Sequence, residues 1–261
     1  MSLNSVQKNP PMTMDSAHEK PIFHNAGDSG LLIEFGTGFD EQVNNAVIAF
    51  ETAVQNLKLK GVVETAPSIK SVLVRFDPLT LYPTKLRDHL SDLIDSRNWM
   101  AASLPASRKR WRIPALYGGA AGPDLAEMAT LMGLSEAATI ESHASARQRI
   151  YMIGFAPGQA YLGLLGPEWD IPRLTKINPN TPTGSILTAL RQTNLYARPN
   201  PTGWRVIGRS PFRSFLPESG QPFKLAAGDE VIFEPINATE YKRLDDQTRR
   251  GVCVASSEAL S

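Results

Sequence analysis

The chain has 261 residues, 42% of them hydrophobic and 20% charged, with a formal net charge of +1. A chain of this length and texture can bury a core in one or two domains. The charge balance argues against a broad nucleic-acid footprint, and no apolar run approaches the roughly 20 residues that cross a bilayer. Residues 1–21 are polar, contain Pro10-Pro11 and lack the apolar stretch of a secretory peptide, so they read as a disordered tail. Ile22–Ala26 and Leu31–Phe35 read as strands joined by the turn Gly27-Asp28-Ser29-Gly30. From Asp40 to Lys58 the period lengthens. Val43, Val47, Phe50, Val54 and Leu57 recur on one helical face, Asp40 is placed to cap its start and Gly61 follows its end. Val62–Thr65 and Ser71–Phe76 are the next strands, and a helix from Thr84 carries Leu86, Leu90, Leu93 and Ile94 on one side. The order ββαββα predicts a small two-layer α+β domain over residues 22–100.

Residues 98–110 are mostly small, polar and basic and read as a joint with little to pack. A second domain is expected over 108–255, opening on the strand-like run from Trp111. Two short helices follow, Pro123–Met132 and Ser135–Ala146, with Asp124 and Ser135 at N-cap positions. Beyond Arg149, short strand-like pieces alternate with Pro and Gly turns: Arg149–Phe155, Ser185–Leu190, Asn194–Ala197, Arg205–Ile207 and Glu230–Pro235. That texture predicts a mainly-β barrel or sandwich. The single cysteine, Cys253, can form no internal disulfide and reads as a buried strand residue. A cytoplasmic location is expected.

Several chemistries lack their signatures. There is no P-loop. Gly36-Thr37-Gly38 lacks the third glycine of a dinucleotide turn, because position 41 is Glu. His18, His24, His89 and His143 stand at no metal-ligand spacing, and no Gly-x-Ser-x-Gly elbow occurs. No metal site is expected from these residues.

The informative stretch is Gly154–Arg213. Arg173, Arg191, Arg205, Arg209 and Arg213 fall within it among many Gly and Pro residues. Arginine suits bidentate binding of carboxylate or phosphate, and glycine allows close backbone approach. Two readings stand: a surface for a small anionic ligand, or a barrel with solvated arginines on its rim.

The motifs in this stretch resemble a known family. They are Gly154-Phe155-Ala156-Pro157-Gly158-Gln159-Ala160-Tyr161-Leu162-Gly163, then Pro172-Arg173, Pro182-Thr183-Gly184-Ser185, Arg191-Gln192-Thr193-Asn194-Leu195-Tyr196, and Gly203-Trp204-Arg205-Val206-Ile207-Gly208-Arg209-Ser210-Pro211. They resemble the family of allophanate hydrolase subunit 1 and the B-type subunit of 5-oxoprolinase, which includes a sporulation-kinase inhibitor. The same module forms half of the carboxyltransferase domain of urea carboxylase. Gly27-Asp28-Ser29-Gly30-Leu31-Leu32, Tyr117-Gly118-Gly119 and Gly122-Pro123-Asp124-Leu125 extend the likeness over about residues 22–236.

The resemblance implies a small α+β domain followed by a cyclophilin-like β-barrel. It implies pairing with a C-type subunit of related barrel fold. With an A-type subunit as well, the assembly would hydrolyse 5-oxo-L-proline to L-glutamate using ATP with Mg at a site shared with partner subunits. Phosphorylation of the lactam oxygen would make the ring carbon electrophilic. His143, Gln192 and Arg209 are the expected catalytic residues. Pro157, Gly158, Tyr161, Arg173, Gly184, Ser185, Thr193 and Arg213 are the expected substrate contacts. Arg173 and Arg209 would neutralise a carboxylate or phosphoryl group, Gln192 would bond the lactam, and His143 would move a proton. Inhibition of a sensor histidine kinase, or a carboxyltransferase role, are the alternatives the family offers. Three departures stand out: Gln159 replaces a Phe, Leu190-Arg191 replaces Gly-Gly, and Ile177-Asn178-Pro179-Asn180 lacks the usual Arg. The replaced glycines are expected to mark where a ligand or a partner backbone approaches.

Overall fold

The computed structural model describes residues 17–260, in two compact units that divide between Ser103 and Leu104. The first unit is built from β1 (Ala17–Asn25), β2 (Gly30–Gly36), α1 (Glu41–Leu57), β3 (Val62–Pro67), β4 (Ser71–Phe76) and α2 (Pro83–Asp95). Its sheet runs β1-β2-β4-β3, antiparallel throughout. Strand β1 begins at Ala17, so residues 17–21 are sheet and not tail, and the expectation for residues 1–16 lies outside the described residues.

Asp40 caps α1 as expected: its carboxylate accepts from the amides of Gln42 (2.7 Å) and Val43 (3.0 Å). Val43, Val47, Phe50 and Val54 are buried against Ile33, Phe35, Val72 and Val74 of the sheet, while Leu57, expected on the same face, is exposed. The helix stops before Gly61, at a left-handed Lys58. The stretch expected to pack little contains Trp99, which is buried edge-on against Phe50 at 5.1 Å between ring centres, and Phe50 meets Phe35 at 5.2 Å. A single tryptophan there closes the base of this core, which composition averaged over the surrounding small residues concealed.

The second unit opens on β5 (Lys109–Tyr117), α3 (Leu125–Met132) and α4 (Glu136–Ser145), followed by β6 (Gln148–Ile153), β7 (Ala160–Gly163), β8 (Asn178–Thr181), β9 (Ser185–Ala189), β10 (Gln192–Leu195), β11 (Asn200–Thr202), β12 (Arg205–Arg209) and β13 (Glu230–Pro235). Helix α5 (Ala238–Arg249) and strand β14 (Ser256–Ala259) complete it. The strand order β12-β9-β10-β7-β6-β13-β5 closes on itself, because the end of β5 pairs with β12 at Leu116–Arg209 and Tyr117–Gly208. The result is a closed seven-stranded barrel; β14 adds to the other end of β5 and lies past residue 255. All barrel pairs are antiparallel except β5–β13.

The barrel interior follows the two-residue period of its strands. Ile113 and Ala115 of β5, Ala160 and Leu162 of β7, and Val231 and Phe233 of β13 meet Ile150, Ile186, Leu195 and Ile207 in one core. Leu187, Ala189, Tyr196, Trp204 and Val206 form a second, separate cluster. Ser135 caps α4 through the Ala138 amide (3.1 Å), but Asp124 caps nothing in α3: its carboxylate accepts from the Val206 amide at 2.7 Å and ties the helix to β12. Cys253 is exposed and lies outside any strand, contrary to expectation, because the chain leaves α5 as a loop before β14. Among the described residues no helix is long and apolar enough to cross a membrane.

Candidate functional site

All of the expected site residues but Gln192 sort into three places. The first is the barrel interior. His143, in the last turn of α4, has no exposed surface. Its Nδ1 meets the Tyr117 hydroxyl at 2.8 Å, and its Nε2 meets the Thr193 hydroxyl at 3.0 Å and the Gln148 amide at 3.3 Å. Trp169 and Phe233 pack on the imidazole at 5.5 and 5.1 Å. Burial disfavours the charged ring and pushes its pKa down to about 3. The same burial pushes the Tyr117 phenol up. A neutral histidine sealed in this way ties the helix end to the barrel wall and has no exposed edge among the described residues. Thr193 is equally buried.

The second place is an aromatic corner. Tyr161 meets Trp204 edge-on at 6.0 Å, and the exposed Arg173 lies over the Trp204 ring at 5.5 Å. Gln159, where the family pattern has Phe, is fully buried here. Its side-chain oxygen accepts from Asn200 Nδ2 at 3.3 Å, and its nitrogen approaches the Tyr161 hydroxyl at 3.5 Å. This departure therefore exchanges an apolar contact for an amide tie between the β6–β7 loop and β11. Pro157 is exposed on that loop, and Gly158, at φ 73°, lies so close to Phe215 that an added Cβ would stand 2.6 Å from its Cβ.

The third place is where β9 begins and β12 ends. Ser185 and Arg209 are register partners across this strand pair, which puts their side chains on one face. Arg209 is half-buried and donates from Nε to the Thr183 carbonyl at 3.1 Å. Ser185 is buried and its hydroxyl has no hydrogen-bond partner. Gly184, at φ 81°, lets the chain turn here: an added Cβ would lie 2.2 Å from the Ser210 carbonyl oxygen and 3.3 Å from an Arg213 terminal nitrogen.

Gln192 belongs to none of these places. It pairs with Ala189 at the far end of β9 from Ser185. Four strand steps separate the two ends, about 13 Å. The expected trio of His143, Gln192 and Arg209 is therefore dispersed: one is buried in the barrel, one sits at a hairpin and one lies at the opposite strand end.

The five arginines also separate by partner. Arg205 is buried and holds Glu127 (3.0 Å) and the Pro172 carbonyl (2.7 Å). Arg213 holds Asp245 at 3.1 Å and leans its other terminal nitrogen on the carbonyls of Pro211 (3.1 Å) and Phe212 (3.4 Å). Arg191 donates Nε to the Leu165 carbonyl at 2.9 Å. Among the described residues Arg173, Arg191 and Arg209 of the five keep terminal guanidinium nitrogens without a carboxylate or carbonyl bond, and of these Arg191 sits at the hairpin end of β9, away from Ser185.

Leu190 and Arg191 carry positive φ, 51° and 63°, and form the two-residue turn between β9 and β10. Both positive values mark a type I′ hairpin, the turn that favours glycine. Their amides donate to Ile171 (2.9 Å) and Trp169 (3.0 Å), and the Arg191 carbonyl accepts from Leu165 (2.8 Å). The glycine pair of the family pattern thus suits the backbone twist that this hairpin requires.

Residues missed by sequence reasoning lie on α5. Tyr241 is half-buried within electrostatic reach of Arg209 and Arg213, and Asp245 follows one turn later. The N-terminal signal was present: Asn237 accepts from the Glu240 amide at 2.9 Å, an Asn-x-x-Glu start. Among the described residues no group of three His, Cys, Asp or Glu side chains could hold a metal ion.

Comparison with known proteins agrees with the architecture. Residues 21–225 match the family described as the carboxyltransferase domain, subdomain C and D. The B-type subunit of 5-oxoprolinase from Bacillus subtilis (strain 168) is 32% identical over 229 residues, covering 85% of this chain and 95% of that protein. The solved structure of TTHA0988 superposes with a TM-score of 0.69 at 29% identity, over 80% of this chain; the chain spans 40% of the length of that protein. The urea amidolyase of K. lactis superposes with a TM-score of 0.74 over 96% of this chain and 17% of its own, at 17% identity, a likeness of fold alone. With most of its length matched both by the family and by a full-length relative, the chain belongs to the carboxyltransferase domain, subdomain C and D, family.

Proposed function

We propose that the chain is the B-type subunit of an ATP-dependent 5-oxoprolinase-type complex, which opens the lactam of 5-oxo-L-proline to give L-glutamate. The name of the Bacillus subtilis relative supports this reading, since it matches almost end to end. C-type and A-type subunits supply the remaining machinery, including the ATP and Mg site. The observation that carries this chain's share of the work is Arg209. It is half-buried, fixed by one bond to Thr183 O, and retains free donors beside the unbonded Ser185 hydroxyl. A guanidinium with its terminal donors free is suited to a carboxylate such as that of 5-oxoproline. Arg173, on the face of Trp204, is another available cation, at the aromatic corner.

The test is reconstitution. The chain is purified with its C-type and A-type partners, and glutamate release from 5-oxoproline is measured with and without ATP. ATP-dependent release is the expected result; a complex that assembles fully and releases no glutamate overturns the proposal.

A further inference from the structure

The anion corner carries an electrostatic setting that comes from α5, beyond the residues 21–225 that match the family. Two guanidinium groups lie against the Thr183–Gly184 backbone. Arg209 bonds the Thr183 carbonyl at 3.1 Å, and Arg213 lies 3.3 Å from where a Gly184 Cβ would stand. Two free arginines side by side would favour a dianion such as phosphate. They are not both free. Asp245, its side chain mostly buried, uses one oxygen on Arg213 at 3.1 Å and the other on Arg249 at 2.9 Å. The remaining Arg213 terminal nitrogen is turned onto the Pro211 and Phe212 carbonyls. Arg213 is therefore spent inside the protein, and one cation, Arg209, faces the ligand.

We propose that Asp245 is a charge-setting positioning residue: by sequestering Arg213 it makes the Ser185–Arg209 corner a site for a monoanionic carboxylate in preference to phosphate. This deepens the reading of Arg209 given above and rests on it. Tyr241, one turn before Asp245 on α5, is half-buried and lies within electrostatic reach of both arginines.

The test reads ligand preference on the isolated full-length chain, with acetate and inorganic phosphate as probes. The Arg209 Nε–H signal is followed by nitrogen-labelled arginine NMR and assigned by its loss in R209Q. In the wild type acetate shifts this signal, and phosphate binds no tighter than acetate. In D245N, Arg213 is released, and phosphate affinity rises by about tenfold while acetate changes by less than about threefold. R213Q leaves Asp245 held only by the exposed Arg249, so acetate weakens by about threefold or more. The double change R213Q/D245N removes the whole pair and restores the wild-type preference. A purely structural Asp245 would alter stability without raising phosphate affinity. An Arg209 signal indifferent to acetate overturns the proposal, as does an unchanged phosphate-to-acetate ratio in D245N. If D245N does not fold, unaltered acetate binding in R213Q overturns it. No turnover is read, so a failure of 5-oxoproline hydrolysis in the reconstituted complex leaves this outcome separate.

Discussion

The Nε2 of His143 lies 3.0 Å from the Thr193 hydroxyl, and neither side chain has any surface exposed to solvent. Burial lowers the imidazole pKa from 6.5 to about 3. Between those values the unfolded chain binds the proton and the folded chain does not, so stability rises with pH across that window and is lost as pH falls through it. The slope from this one group is about 1.4 kcal/mol per pH unit. His143→Asn removes it. The variant is expected to be less stable than wild type by about 2–3 kcal/mol at pH 7, from lost packing and an unpaired Tyr117 or Thr193 group. Urea midpoints measured from pH 7 to pH 4 should show that gap narrowing as pH falls; a constant gap would contradict a buried neutral histidine.

The β9–β10 turn offers a second check. At Arg191, φ is 63° and the side chain donates to Leu165 O at 2.9 Å. Arg191→Gly loses that bond, about 1 kcal/mol, but relieves a left-handed backbone by a similar amount. Arg191→Ala loses the bond and keeps the strain. Thermal or urea denaturation should therefore rank Gly above Ala by about 1 kcal/mol, with Gly near wild type. The reverse order would mean that the turn is not of the I′ class.

These two sites show what could and could not be read from residues in a row. The ββαββα unit was legible because its signals are local: the Asp40 cap, the period of Val43, Val47, Phe50 and Val54, and strand β4 at Ser71–Phe76. The barrel was legible as a texture, and Glu230–Pro235 with its boundaries, but its closure was not. Closure rests on two register pairs between β5 and β12, some 90 residues apart in sequence. The site suffered most for the same reason. Motif neighbours such as Gln192 and Thr193 alternate across a strand, one at the hairpin flank and one against His143, so a shared motif did not mean a shared site. Which arginine stays free depended on Glu127 and Asp245, at distances of 78 and 32 residues along the chain.

Gly184 is expected to be intolerant of change. Its φ is 81°, and an added Cβ would lie 2.2 Å from the Ser210 carbonyl oxygen, a backbone atom that cannot swing aside. Left-handed strain alone costs about 1 kcal/mol, and relieving the overlap requires separating β9 from β12. Gly184→Ala should lower stability by about 3 kcal/mol or more in denaturant titration. Gly119→Ala is the matched control: its φ is 52° with open space around the added Cβ, so it carries the strain without the overlap and should lose only about 1 kcal/mol.

The functional prediction separates Arg209 from Arg173. Arg209 is half-buried and held by Thr183, so a carboxylate bonded to it is shielded from water; Arg173 is exposed and stacked on Trp204. A charge-assisted pair at a shielded position is worth roughly 2–3 kcal/mol, and one in open solvent well under 1 kcal/mol. In the reconstituted complex, Arg209→Gln should therefore lower kcat/KM for 5-oxoproline by about a hundredfold, whereas Arg173→Gln should lower it by less than about tenfold. Arg209→Lys keeps the charge but loses the planar fork that bonds Thr183 and ligand together, so it should recover only part of the loss. Steady-state kinetics of the three variants, with complex assembly confirmed by size-exclusion chromatography, decide the matter. Equal and small effects at both positions would move the anion site away from the β9–β12 strand end.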